Sequence, residues 1–132
     1  AKWNNSKIRF CDIEPDSLNL CLNSLQKNID DTVEAIIPVH VFGNPCKVEE
    51  LSKIATKNNL KLIYDAAHAF GVCKDNKSVL DWGDASALSF HATKVFNTFE
   101  GGAIISKDKK TKEKDPYNIE IIMIKVRDVV FQ

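Results

Sequence analysis

The chain has no excess of either charge: 18 Lys and Arg balance 18 Asp and Glu across 132 residues. Such a balance creates no field that favours nucleic acid, an anionic membrane or a polyanionic substrate, so any partner has to be argued from a site. No apolar run nears the ~18 residues needed to cross a bilayer, and no charged stretch, apolar stretch and small-residue cleavage site opens the chain. A soluble, cytoplasmic protein without nucleic-acid or membrane partners is expected. Ala1 stands where an initiator Met would, from which a processed or partial chain is expected. Cys11, Cys21, Cys46 and Cys73 show neither Cys-x-x-Cys spacing nor the density of a disulfide scaffold. Free buried thiols in a reducing compartment are expected instead. Glycine is scarce, at five residues, and forms neither Gly-x-x-x-x-Gly-Lys nor Gly-x-Gly-x-x-Gly. Nucleoside triphosphate and dinucleotide sites of those types are excluded, and the absence of Gly-x-Ser-x-Gly removes the hydrolase elbow. His40, His68, His91 and Cys73 lack a short metal-ligand spacing such as two histidines four apart on a helix, so no metal is expected.

What is present is an alternation of short apolar runs with helical patterns. Residues 8–11, 33–39 and 60–64 read as strands, and 16–27 and 47–57 as helices. Val48, Leu51, Ile54 and Ala55 recur at three- and four-residue spacing among charged residues, the pattern of an amphipathic helix. The runs 33–39 and 60–64 are nearly continuous in apolar residues, as strands covered on both faces are. Residues 84–90 and 101–106 supply two further strands. The expected class is α/β, a three-layer sandwich with a mostly parallel sheet. Residues 107–115 are almost wholly charged and read as a solvated segment that Pro116 ends. Strand and helix are both open for 119–131.

Two segments carry chemistry. The strand ending at Tyr64 stops on Asp65-Ala66-Ala67-His68, and Lys94 sits in a polar stretch between two apolar runs. Ligands of open α/β sheets gather at the carboxyl ends of strands, where an aspartate can pair with a protonated heterocyclic nitrogen. A pyridinium fits that role, and pyridoxal 5'-phosphate then requires a lysine amine to hold its aldehyde as a Schiff base. Lys94 is the candidate amine, with Thr93, Val95 and Phe96 expected to exclude water around it. The Ser89 hydroxyl can bond a phosphate oxygen, Gly101 and Gly102 allow close backbone approach, and His68 can bond or stack on the ring. Taken singly, Asp65 reads as a cap or turn former, Ser89 as a strand residue, Gly-Gly as a turn and His40 as a satisfied histidine at a strand end. The conjunction is what points to a site.

Four ordered blocks carry a resemblance: Ile37-Pro38-Val39-His40-Val41-Phe42-Gly43, Tyr64-Asp65-Ala66-Ala67-His68-Ala69-Phe70-Gly71, Ser89-Phe90-His91-Ala92-Thr93-Lys94 and Glu100-Gly101-Gly102-Ala103-Ile104. Together they resemble the nucleotide-sugar aminotransferases of the DegT and StrS type, over most of the chain. The resemblance implies the large domain of the pyridoxal phosphate-dependent aspartate aminotransferase fold (fold type I), with residues 1–106 as its central part and 107–132 as a charged segment and divergent tail. It implies that Lys94 forms the Schiff base and shuttles a proton, that Asp65 holds the pyridine nitrogen, that His68 lies against the cofactor and that Ser89 binds its phosphate. A lysine at position 94 argues against the related sugar dehydratases, which carry histidine there.

The implied reaction is transamination of a nucleotide-linked keto-deoxy sugar with glutamate as donor, in surface polysaccharide or antibiotic sugar biosynthesis. The resemblance also implies a homodimer in the full-length form. Members of the family are much longer, with an earlier phosphate-binding loop and a later small domain, so a fragment of the enzyme is expected. Two alternatives stand beside it. One is a non-catalytic truncated domain that binds a partner subunit or weakly binds the cofactor; the other is a flavodoxin-like binding domain, which accounts for the alternation but not for Lys94.

Overall fold

The structure is a computed structural model that describes residues 6–107 and 128–131. Its centre is a six-stranded sheet in the order β1-β8-β2-β3-β6-β7. The strands are β1 (Lys7–Phe10), β2 (Ala35–Ile37), β3 (Lys61–Asp65), β6 (Ala85–Ser89), β7 (Gly102–Ser106) and β8 (Asp128–Phe131), with β4 (Cys73–Lys74) and β5 (Lys77–Ser78) forming a separate hairpin. Every pairing in the large sheet is parallel except that of β6 with β7. The mostly parallel α/β architecture expected from the alternation is therefore present.

Side-chain alternation divides the sheet into two unequal faces. Register pairs Ile36 with Leu62 and Tyr64 with Ser86, and the period of two puts Leu62 and Tyr64 on one side. Both α-helices lie there. Leu25 from α1 (Leu22–Asn28) and Val48, Leu51 and Ala55 from α2 (Val48–Lys57) join Ile36, Leu62 and Tyr64 in one buried cluster. On the opposite side Ile37, Ile63, Asp65 and Ser89 are half-buried and Ala87 is exposed. Among the described residues no helix covers this second face, so they supply the sheet and one helical layer of the sandwich. Nor is any helix among them long and apolar enough to cross a membrane.

The second helix forms where its periodicity says, and its end has a local cause. Glu49 and Glu50 in the first turn and Lys57 in the last complement the helix dipole. Asn59 then takes a left-handed φ of 53°, and the Leu60 N–H donates to the Ala55 carbonyl at 2.9 Å. That is the hydrogen-bond pattern that stops a helix and turns the chain into a strand.

The first helix is shorter than expected: residues 16–21 are not α-helical. Leu18 is left-handed at φ 59°, its N–H donates to Glu14 O at 2.8 Å, and Ile13 bridges Leu20. The reason is tertiary. The Asn19 side chain donates to the carbonyls of Asn44 and Pro45, each at 3.1 Å, and accepts from the Val41 N–H at 3.1 Å. It fastens this loop to the one that follows β2. The hairpin β4–β5, absent from the sequence reading, turns on Asp75 and Asn76, both with positive φ.

The tail, open between strand and helix, contributes β8, paired with β1 on one side and β2 on the other. The charged segment from 108 and the rest of the tail to 127 lie outside the described residues. All four thiols are free; Cys11 and Cys46 are buried as expected, but Cys21 is half-buried and Cys73 is exposed. Cys73 falls in the short surface hairpin, which has no interior to bury it.

Candidate functional site

The site is built at the carboxyl ends of β3 and β6. Asp65 closes β3 and Ser89 closes β6; Asp65 is the register partner of Ala87, so Asp65, Ala87 and Ser89 share the half-open face. The Asp65 backbone is pinned to the chain after β2, donating to Pro38 O at 2.9 Å and accepting from the His40 N–H at 3.0 Å. Its Oδ1 accepts from the Ala67 N–H at 3.0 Å, and among the described residues none bonds Oδ2. The turn that follows is anchored by fully buried Ala66 and Ala69, with Ala69 N–H donating to Ala66 O at 2.8 Å. His68, between them, is left exposed at the rim.

Lys94 comes from the loop joining β6 to β7. That loop is closed at its base by Phe90 N–H to Gly101 O at 2.8 Å and Thr98 N–H to Phe90 O at 3.0 Å. Inside it, Ala92 N–H reaches Phe99 O at 2.7 Å and Lys94 N–H reaches His91 O at 2.9 Å. The result brings Lys94 Nζ to 2.8 Å from His68 Nε2. With the amine donating, the imidazole accepts through Nε2 and carries its own proton on Nδ1. An amine in that contact has a proton acceptor beside it.

A cleft of about 210 Å³ lies over this contact, and of the four residues singled out in the sequence it is lined by His68, Ser89 and Lys94. Asp65 does not line it. Apolar side chains dominate the remaining wall: Phe42, Phe70 and Phe96, with Ala67, Thr93 and Val95. Phe70 and Phe96 stack at 4.4 Å, and Phe90 meets both rings edge-on at 6.0 and 5.2 Å. Phe42 stacks on His68 at 5.9 Å with the rings 15° apart.

Around Lys94 and Ser89 the structure corrects one expectation and refines two. Val95, expected to keep water from Lys94, edges the cleft but is itself 98 % exposed, because it stands in the loop joining β6 to β7. Phe96 makes apolar wall through Phe70 instead. Ser89 Oγ accepts from the His91 N–H at 3.4 Å, a weak bond that leaves the hydroxyl facing the cleft. Gly101 and Gly102 allow the close approach expected of them, since a Cβ at Gly102 would stand 2.7 Å from Leu88 O; Gly102 pairs with Ser89 and Gly101 closes the loop base. Neither Phe42 nor Phe70 was given a role from the sequence. The signal available was a phenylalanine two positions after each of His40 and His68.

Beneath the site lies His40, fully buried and only half satisfied. Its Nδ1 accepts from the Cys46 N–H at 3.0 Å, while among the described residues Nε2 has no partner, and the ring stacks on Tyr64 at 4.6 Å. Burial pushes its pKa down to about 4, opposed by the charge of Asp65. Burial likewise lifts the Cys46 thiol to about 12, so it stays protonated.

Comparison with known proteins follows the same segments. The pattern of the DegT/DnrJ/EryC1/StrS aminotransferase family matches residues 1–117. A protein of Shigella dysenteriae named dTDP-4-amino-4,6-dideoxy-D-glucose transaminase is 55% identical over 111 residues, 84% of this chain and 30% of its own length. Among solved structures, DesI in the presence of its TDP-sugar product superposes with a TM-score of 0.70 at 41% identity, covering 74% of this chain and 25% of DesI. GDP-4-keto-6-deoxy-D-mannose-3-dehydratase of E. coli, with bound hydrated PLP, gives 0.72 at 29% identity over 77% of this chain and 26% of that one. The chain thus spans about 30% of the length of its curated relative. By the match over residues 1–117 and by these likenesses, the chain belongs to the DegT/DnrJ/EryC1/StrS aminotransferase family.

Proposed function

We propose that this chain carries the cofactor-holding part of a pyridoxal 5'-phosphate-dependent sugar aminotransferase, with Lys94 and Asp65 as its catalytic residues and His68 and Ser89 as further cofactor contacts. The observation that carries the reading is the 2.8 Å contact of Lys94 Nζ with His68 Nε2 in a cleft that Ser89 also lines. The donor set fits in kind: an amine for an aldehyde, a hydroxyl for a phosphate oxygen, and a carboxylate on the same sheet face for a protonated ring nitrogen. When bound, pyridoxal phosphate supplies the electron sink that lets the substrate's C–H bond break.

The chain's own groups do the rest. Lys94 Nζ would hold the cofactor's aldehyde, and as a free amine it would carry a proton from one carbon to another. His68 Nε2 receives the hydrogen bond of the amine and holds it over the cleft. Asp65 would keep the ring nitrogen protonated through Oδ2, which no described residue bonds. The Phe70–Phe96 pair forms an apolar wall beside these polar contacts. Across the whole cycle the amino group leaves glutamate for the ketone carbon of a nucleotide-linked keto-deoxy sugar. Water supplies the oxygen of the 2-oxoglutarate that remains, and the sugar's oxygen departs as water.

The sugar substrate rests on what the Shigella relative and DesI are named for, and surface polysaccharide or antibiotic sugar biosynthesis is the setting proposed with it. A cytoplasmic location and a homodimer in the longer polypeptide belong to the same proposal. A second reading has its own support: a sheet face without a described helix and a span of 30% of the relative favour a domain that binds cofactor or a partner subunit without turnover. The glutamate half-reaction separates the two. The chain loaded with pyridoxal phosphate and given glutamate is expected to release 2-oxoglutarate, and Lys94→Arg to abolish release. Cofactor binding with no 2-oxoglutarate from the unaltered chain establishes the second reading, and unchanged release by Lys94→Arg removes Lys94 from the chemistry.

A further inference from the structure

We propose that Phe42 is a positioning residue that fixes the His68 ring in the orientation from which Nε2 meets the Lys94 amine. The inference rests on the reading of Lys94 as the reactive amine, and it assigns a task to a residue that the fold gives no reason to keep aromatic.

Phe42 is 81 % exposed and contributes nothing to either buried cluster. It also occupies a left-handed backbone well, at φ 51° and ψ 26°, which residues with a Cβ avoid. An exposed aromatic held in an unfavourable conformation is maintained by its surroundings rather than by its own preference. Those surroundings are visible. Asn19, almost fully buried, binds the Val41 N–H and the carbonyls of Asn44 and Pro45, clamping the turn on both sides of Phe42. Gly43, at φ 80°, lies so close to the next loop that a Cβ there would stand 2.8 Å from the His68 carbonyl oxygen.

The turn after β2 is therefore pressed against the backbone of His68, and the Phe42 ring completes the contact by stacking on the imidazole at 5.9 Å and 15°. His68 needs this support. Buried Ala66 and Ala69 fix its backbone, but its exposed side chain would otherwise rotate freely about two bonds. With one ring face covered by Phe42, Nε2 points at Lys94 Nζ, 2.8 Å away. Three loops, following β2, β3 and β6, thus meet through Phe42, His68 and Lys94.

Three variants test this: Phe42→Leu, Phe42→Gly and Phe42→Tyr. In the cofactor-free chain the readout is the side-chain nitrogen NMR signals of His68; with pyridoxal phosphate followed by borohydride it is the rate at which Lys94 is labelled. Loss of the stack in the Leu and Gly variants should shift the His68 signals toward an averaged ring and slow Lys94 labelling by about fivefold, the worth of one aromatic pair. Phe42→Tyr should restore both. Because glycine relieves the left-handed backbone, Phe42→Gly should melt no lower than the parent, which separates positioning from a structural role. Unchanged His68 signals and unchanged labelling in the Leu and Gly variants overturn the proposal, as does a fall in melting temperature that alone accounts for the slower labelling. If Lys94 is never labelled in the parent chain, the cofactor reading fails, and the His68 signals still decide whether Phe42 orients the ring.

Discussion

His40 shows how a single side chain couples the core to the site. It is neutral in the fold because burial pushes its pKa from 6.5 to about 4. In the unfolded chain it takes a proton at higher pH, so the unfolded state binds more protons between those two values and stability falls as pH drops through them. The stabilisation is fully present above pH 6.5 and is lost progressively toward pH 4, amounting to about 3 kcal/mol from the size of the shift. Denaturant unfolding at pH 7 and at pH 4 should show that loss for the parent chain. His40→Asn, which keeps an acceptor for Cys46 N–H and does not titrate, should remove it. At this scale the sequence was informative wherever chemistry is intrinsic to the residue type. A carboxylate, an imidazole, a hydroxyl and an amine at 65, 68, 89 and 94 could be singled out by what they can bond, and the fold brings three of them to one cleft. Phe42 could not, because an exposed ring acquires a task only from the histidine that tertiary structure sets beside it.

Elements were legible where their determinants are local. The amphipathic spacing within α2 and the Asn58-Asn59 pair after it are both written in consecutive residues, and the helix ends at Lys57. The expected helix at 16–27 shrank to Leu22–Asn28 because Asn19 bonds a loop about 25 residues away, a competitor that no local pattern displays. The β4–β5 hairpin had a local signal, Asp75-Asn76 between two short runs, that went unused. The approach of one element to another can be tested at Gly83, which precedes β6 with φ 73°. A Cβ there would lie 2.6 Å from Leu62 O and 3.0 Å from the Tyr64 ring, both in β3. Gly83→Ala is expected to cost at least about 1–2 kcal/mol from the left-handed backbone alone, with the steric clash adding to it. A thermal melt that leaves the midpoint unchanged would show that the β3–β6 contact is looser than described.

At the scale of the molecule, alternation of strand and helix was enough to expect a mostly parallel sheet, and the sheet places Asp65 and Ser89 at its carboxyl ends on one face. The insertion of β8 between β1 and β2 was not legible, since parallel pairing joins segments more than 90 residues apart and leaves no local trace. The uneven covering of the sheet was equally hidden: among the described residues both α-helices crowd onto Ile36, Leu62 and Tyr64, and none covers the face of Asp65. Membership of the family accounts for the four sequence blocks, and the fold accounts for why they converge: the first three each end a strand and open the loop beyond it, and the fourth leads from that last loop into β7. The proposed function turns on Lys94 as the reactive amine of a pyridoxal phosphate site. Borohydride reduction of the chain in the presence of limiting pyridoxal phosphate, followed by peptide mapping, measures it directly. The label is predicted on Lys94 alone, and to disappear when Lys94 is replaced by Ala; label distributed over the exposed lysines, or unchanged in Lys94→Ala, would contradict it.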